Sequence, residues 1–229
     1  MSISQDSAWL LKEKYNGEKS TAFFTDVKRL ALGEPLGYLI GHVPFLDTTI
    51  HLDSRPLIPR AETEFWVEKA ITEIKSVAPP APRVLDLCAG SGCIGTSVAK
   101  AIPTSLVDFS EIEDAHIKTI EKNLAANNIP ETRSKVVHTS LFDALPYRYD
   151  FILSNPPYID ESLSRVDTSV IDFEPHLALF GGKDGMEVIT SIIERSIQHL
   201  NPKGQLWMEH EPEQTEVITE LAEKNHYTI

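Results

Sequence analysis

Cysteine is scarce in this 229-residue chain: Cys88 and Cys93 are the only two, one on either side of a glycine-rich turn. Two thiols so placed do not make a disulfide scaffold, and they point to a reducing compartment. Long apolar runs are missing too, and no window approaches the roughly 18 consecutive apolar residues of a membrane span. The N-terminal stretch MSISQDSAWLLKEKYNGEKS lacks the basic start and apolar core of a secretory signal. We therefore expect a cytoplasmic protein. Positive charge is in deficit, with 21 Lys+Arg against 34 Asp+Glu and a net charge of −13. Nucleic-acid binders ordinarily carry a basic stripe that releases counterions from phosphates; here the densest basic stretches are pairs such as Lys28-Arg29. The eight histidines show no H-x-x-x-H spacing and the cysteines no C-x-x-C spacing, so the common zinc patterns are absent.

The chain is long enough for one sizeable core, as one domain or one domain with a small appendage. Residues 1–32 read as a short helical segment, with Trp9, Leu10, Leu11 and then Phe23, Phe24, Val27 and Leu30 at helical spacing. Residues 33–82 read as a hairpin and a linker helix. Ile50 and Leu52 alternate with Thr49 and His51, and Trp66, Val67, Ala70, Ile71 and Ile74 share one helical face. From residue 83 to 229 short apolar strands alternate with helices. Strands are expected at VLDLCAG, 105–109, 135–138, 149–154 and 205–209. Ser110 and Glu113 read as a capping box opening the helix to about Asn127, and Asp184 with Glu187 as another helix start. This rhythm predicts an α/β fold with a parallel sheet covered on both faces.

The first strand leads into A-G-S-G-C-I-G, where Gly90, Gly92 and Gly95 match G-x-G-x-x-G. Such glycines let a ligand approach the backbone. Asp108, read as the end of the second strand, is placed to accept both ribose hydroxyls of an adenosine cofactor. NAD and S-adenosylmethionine share that ribose; the alternative is a tight turn with ordinary strand-end carboxylates. Asp86, just before the turn, could attract an ammonium group.

The choice of cofactor comes from Asn155-Pro156-Pro157-Tyr158, which follows the fourth strand. Each proline fixes its own φ and holds the preceding residue extended. The loop then presents two acceptors, the Asn155 side-chain oxygen and the Pro156 carbonyl, to one NH2 group, with Tyr158 against its plane. An amide or aromatic amine is a poor nucleophile, and fixing both its hydrogens aims the lone pair at a methyl donor. NAD chemistry supplies no such need.

With both motifs placed, the chain resembles the HemK/PrmC family of protein-glutamine methyltransferases, which act on the Gly-Gly-Gln glutamine of peptide-chain release factors. GEPLGYLIG (33–41), LIPRAETE (57–64), VLDLCAGSGCIG, VDFS (107–110), NPPYI, FEPHLALFGGKDGMEV (173–188) and MEHEPEQ (208–214) carry the resemblance in order. It implies a Rossmann-like class I methyltransferase sheet and S-adenosyl-L-methionine as cofactor. By position, Asp86, Cys88, Ala89, Gly90, Ser91, Gly92, Asp108, Phe109, Ser140, Leu141 and Asn155 would hold the cofactor. Asn155, Pro156, Pro157 and Tyr158 would form the catalytic loop, and Arg60, Thr63, Glu64 and Glu174 would join it on the substrate side. The resemblance also implies a release factor as protein partner. Cys88 stands where the family has its first loop glycine, and Ser140 where an Asp is usual. The helical front is short, and the chain stops at HYTI (226–229) where the family continues into a further strand. Alternative readings are glutamine methylation of a large-subunit ribosomal protein, adenine amino methylation of nucleic acid, or cofactor binding without catalysis.

Overall fold

The computed structural model describes residues 4–163 and 167–229, so the helical expectation for residues 1–3 lies outside it. The front segment is two helices, α1 (Gln5–Glu13) and α2 (Thr21–Ala31). Ser4 and Ser20 cap them, accepting the amide hydrogens of Ser7 and Phe23 at 3.2 Å each. Asn16 and Gly17 take positive φ between the two, which interrupts the helical run the sequence suggested. Leu10, Phe23 and Leu39 form a small core of their own there.

A short helix, α3 (Leu36–Ile40), leads into the hairpin β1 (His42–Phe45) and β2 (Thr48–His51). Next come α4 (Ala61–Val77), β3 (Arg83–Leu87), α5 (Cys93–Ala101), β4 (Leu106–Glu111), α6 (Asp114–Ala126) and β5 (Ser134–His138). The chain continues through β6 (Tyr149–Ser154), α7 (Thr168–Phe173), α8 (Glu187–His199), β7 (Leu200–Met208) and α9 (Thr215–Lys224). The main sheet runs β5-β4-β3-β6-β7, and every pairing in it is parallel.

Successive strand residues feed opposite layers, which is why the strands are apolar almost throughout. Val84, Val107, Phe109, Phe151 and Leu153 pack with α4, α5 and the hairpin, whereas Leu85, Leu87, Tyr149 and Ile152 pack against α8. The direction of strand addition reverses between β3 and its two neighbours β4 and β6. Open parallel sheets form a crevice at that point, beyond the carboxyl ends of the strands.

Several boundaries differ from the expectation, and one matters for the site. β4 does not stop at Phe109; it continues to Glu111, held by Ser110 opposite Leu87 and Glu111 opposite His138. Ser110 is therefore no helix cap: its hydroxyl donates to the Leu141 carbonyl at 2.5 Å, and α6 starts at Asp114 without a side-chain cap. At the far edge, β7 begins at Leu200, ahead of the Gln205 expected, because Tyr149 already pairs with Leu200.

Candidate active site

Past Leu87 the backbone turns through Cys88 and Gly90, with φ of +60° and +55°. Only glycine takes that conformation without cost, and a Cβ on Gly90 would meet nothing within 4 Å, so the bare backbone faces open space. The Gly90 N–H donates to Glu111 Oε2 at 2.6 Å, and the Glu113 N–H donates to Glu111 Oε1 at 2.8 Å. Glu111 thus stands at the end of β4 with a carboxylate fixed by two amides, and each oxygen keeps further acceptor capacity.

A cleft of about 210 Å³ opens here, walled by Cys88, Ala89, Gly90 and Ser91 of the turn, Ser110, Glu111 and Ile112, and Ser140 and Leu141 after β5. Thr63, Asn155 and Pro157 close its other end. Four residues expected at a cofactor are absent from this wall. Asp108 lies three residues before the strand end, about 10 Å short of the rim at the usual strand rise. It is buried on the α8 side of the sheet, where the Tyr149 hydroxyl donates to it at 3.0 Å and Arg83 approaches to 3.5 Å. Burial nevertheless holds its carboxyl above the usual range, against the opposing pull of Tyr149 and Arg83. Phe109 is fully buried beneath α5, where a Cβ on Gly95 would stand 2.4 Å from its ring. Asp86 lies beside it: Oδ2 accepts the Gly95 N–H at 2.8 Å, while Oδ1 is buried without a partner. Burial raises the Asp86 carboxyl well above its ordinary range, favouring the neutral acid over a counter-charge for an ammonium. Gly92 serves packing, since a Cβ there would come within 2.9 Å of Ile120. Burial likewise lifts the Cys88 and Cys93 thiols to about 12, which suits inert packing groups.

Beyond Asn155 lies a second cavity of about 250 Å³, lined by Arg60, Pro156, Tyr158, Ile159, Asp160 and Glu211. Leu57, Asn155 and Ala178 line both spaces, so Asn155 stands in the partition. The loop that presents it is clamped from behind. A Cβ on Gly185 would fall 2.0 Å from the Tyr158 carbonyl oxygen, and one on Gly181 would fall 2.5 Å from that of Pro157. Ile159 bridges to Phe180 in parallel register, and Gln214 Nε2 donates to the Tyr158 carbonyl at 2.9 Å.

Side chains hold the loop from the front. Asn155 Nδ2 donates to Thr63 Oγ1 at 3.0 Å, and Thr63 donates to Glu209 Oε2 at 2.7 Å. The same oxygen accepts Trp66 Nε1–H at 2.8 Å, and Tyr158 donates to Oε1 at 3.0 Å. Burial and then the Glu209 charge push the Tyr158 hydroxyl up, so it remains a donor. Thr63, expected on the substrate side, instead lies behind Asn155 and touches the cofactor-side cleft. Arg60 does line the second cavity and pairs with Glu174 at 2.5 Å. Glu174 is buried and also accepts the Ile58 N–H at 3.0 Å, so it braces Arg60 without lining either space. Glu64 points elsewhere, accepting the Leu46 N–H of the hairpin turn.

Glu111 and Glu209 are the residues that reading the sequence missed. Glu111 was hidden by ending the strand at its first carboxylate. Glu209 sits in a recognisable motif, but its partners come from α4 and the β6 loop, far away in the chain.

A glycine turn, a strand-end carboxylate and an Asn-Pro-Pro-Tyr partition between two cavities define a methyltransferase of the parallel α/β kind. A family profile described as Methyltransferase small domain matches residues 71–172. Among solved structures, a methyltransferase from Pyrococcus furiosus shares the fold with a TM-score of 0.59 at 16% identity, covering 89% of this chain and 88% of its own. The release factor glutamine methyltransferase of Rhodopirellula baltica is 37% identical over 213 residues, 91% of this chain and 72% of its own length. That of Bordetella pertussis is 37% identical over 96% of this chain and 81% of its own length. The chain belongs to the release factor glutamine methyltransferase family. Among the described residues, no helix is long and apolar enough to cross a membrane.

Proposed function

We propose that this chain transfers the methyl group of S-adenosylmethionine to the side-chain nitrogen of the glutamine in the Gly-Gly-Gln motif of a peptide-chain release factor. The observation that carries this reading is the position of Asn155, which lines both the cleft under the glycine turn and the cavity beside Pro156 and Tyr158. The residues present suit the cofactor. Glu111 offers fixed acceptors for a ribose diol, taking the part first expected of Asp108, and the bare Gly90 backbone allows close approach. Leu141 and Ile112 supply apolar walls for a base, and Ser140 a hydroxyl at its edge. When bound, S-adenosylmethionine supplies an electrophilic methyl on sulfonium.

The protein's part is positioning. Glutamine enters the second cavity, where Asn155 Oδ1 and the Pro156 carbonyl accept its two N–H hydrogens. Neither acceptor has another hydrogen-bond partner among the described residues. Tyr158, anchored on Glu209, walls the same cavity. The amide lone pair, normally spread into the carbonyl, is thereby aimed through the partition. Alignment of this kind can substitute for acid–base assistance. On accepting the methyl group, the glutamine nitrogen would give up one of the two hydrogens that Asn155 Oδ1 and the Pro156 carbonyl hold.

Incubation of a purified release factor with this protein and S-adenosylmethionine, followed by mass spectrometry, tests the reading. The mass of one methyl group should appear on the Gly-Gly-Gln peptide and vanish with Asn155→Ala. A release factor left unmodified by a protein that binds the cofactor would overturn it.

A further inference from the structure

Asn155 can serve an incoming NH2 group only if its oxygen, and not its own NH2, faces the second cavity. The two ends of a planar amide have the same shape, so something must choose between them. The choice can be traced through Thr63 to Glu209. Glu209 Oε2 takes the Trp66 N–H, a group that can only donate, at 2.8 Å, and the Thr63 hydroxyl hydrogen at 2.7 Å. A hydroxyl has one hydrogen. With it committed to Glu209, Thr63 Oγ1 turns only lone pairs toward Asn155, and the 3.0 Å contact must be filled by the Asn155 NH2. Oδ1 is then left on the opposite side of the planar group. Thr63 is 2% exposed, so water has little access to satisfy it otherwise.

Building on the function proposed above, we infer that Glu209 is a positioning residue that acts through Thr63 to set the polarity of Asn155. The relay makes the site selective for an N–H donor. A primary amide meets Oδ1 with a hydrogen, whereas a glutamate in its place would bring an oxygen against an oxygen. Glu209 also receives the Tyr158 hydroxyl, so one carboxylate aligns both side chains of the catalytic loop.

The test compares Thr63→Val, Thr63→Ser, Glu209→Ala and the Thr63→Val/Glu209→Ala double variant on a release factor that the unaltered protein methylates. Valine fills the same space without accepting a hydrogen bond. Thr63→Val and Glu209→Ala should each lower kcat by about 30- to 100-fold, the scale of a misplaced reacting group. S-adenosylmethionine affinity by calorimetry should stay within about threefold, since valine keeps the space of Thr63 at the far end of the cleft and neither variant touches the Gly90–Glu111 cradle. The double variant should fall no further than the worse single one, because both changes cut one chain of bonds. Thr63→Ser should recover to within about threefold of the unaltered kcat, its hydroxyl filling both places in the relay. A second readout needs no acceptor. The Asn155 side-chain NH2 signals in a 15N-labelled sample, assigned by their loss in Asn155→Ala, should shift and exchange faster in Thr63→Val but not in Thr63→Ser.

Losses that multiply in the double variant, a Thr63→Ser protein as impaired as Thr63→Val, or NH2 signals indifferent to Thr63→Val would each overturn the relay. If the unaltered protein leaves the release factor unmethylated, the acceptor assignment fails, and the NH2 signals still judge the relay.

Discussion

The cleft under the glycine turn is built largely from main chain, whereas the cavity beyond Asn155 is held in shape by side chains from three separate segments. On the first side, Gly90, Glu111 and Glu113 are tied by amide-to-carboxylate bonds within two adjacent loops. On the second, Thr63 and Trp66 of α4 and Tyr158 of the loop after β6 all donate to the carboxylate of Glu209, which follows β7. The difference fits the tasks proposed for the two spaces. A cofactor of fixed shape can be met by backbone geometry that short-range sequence dictates. An amide nitrogen that must be oriented to a small angle requires groups whose polarity is set from several directions.

Removing the partition should have the largest effect and should fall on one side only. Asn155→Ala is expected to lower kcat/KM by about 1,000-fold, the upper range for loss of a preorganised dipole at the reacting atom. Its cofactor affinity should stay within about threefold, because the Gly90–Glu111 cradle is untouched. Steady-state kinetics beside calorimetry measure both. An equal loss in the two quantities would break the division between the halves.

The clamp behind the loop comes next. Gly185 has φ of +68°, and a Cβ there would meet the Tyr158 carbonyl oxygen at 2.0 Å, a contact with backbone that no rotamer change relieves. Gly185→Ala should displace Pro157 and Tyr158, cutting turnover by about 100-fold and stability by about 2–4 kcal/mol. Denaturant unfolding and turnover check the two parts. A fully active Gly185→Ala protein would show that the loop tolerates a shift.

The two halves also differ in how far they could be read from sequence. The glycine turn, the Asn-Pro-Pro-Tyr loop and the parallel sheet were legible because each depends on residues close together in the chain. Helix and strand periods, proline constraints and glycine spacing all act within about ten residues. Asp108 misled because a strand end is fixed by its neighbours: only the pairing of Ser110 with Leu87 and of Glu111 with His138 shows that β4 runs on to Glu111. Asp86 looked like a counter-charge because burial cannot be seen in a motif. Glu209 could be noticed but given no role, since Thr63 stands 146 residues before it in the chain. Glu64 and Glu174 sat in the right motifs, yet one serves the hairpin and the other braces Arg60.

Glu111 and Asp108 allow that correction to be tested. Glu111→Ala should weaken S-adenosylmethionine binding by about 30-fold, as expected when a charge-assisted hydrogen-bond acceptor is lost. Asp108→Asn should change it by less than about threefold, lying behind the cleft wall. Calorimetric titration of both proteins decides, and the reverse ranking would return the ribose site to Asp108.

The smallest effect concerns Asp86 and reads the burial of the cofactor half directly. Its carboxyl is fully buried, and burial, outweighing the Gly95 N–H, raises it above the ordinary carboxylate range. A carboxyl raised in this way binds more protons folded than unfolded. Its contribution to stability is therefore greatest below the ordinary carboxyl pKa and declines as pH rises from there toward the raised value. Asp86→Asn keeps an oxygen for the Gly95 N–H and removes the ionisation. Denaturant unfolding measured from pH 4 to pH 7 should show the unaltered protein losing stability relative to the variant as pH rises. Parallel curves would mean that Asp86 ionises in the fold as readily as in the open chain. It could then act as a counter-charge beneath the glycine turn, a second side-chain charge on that half beside Glu111.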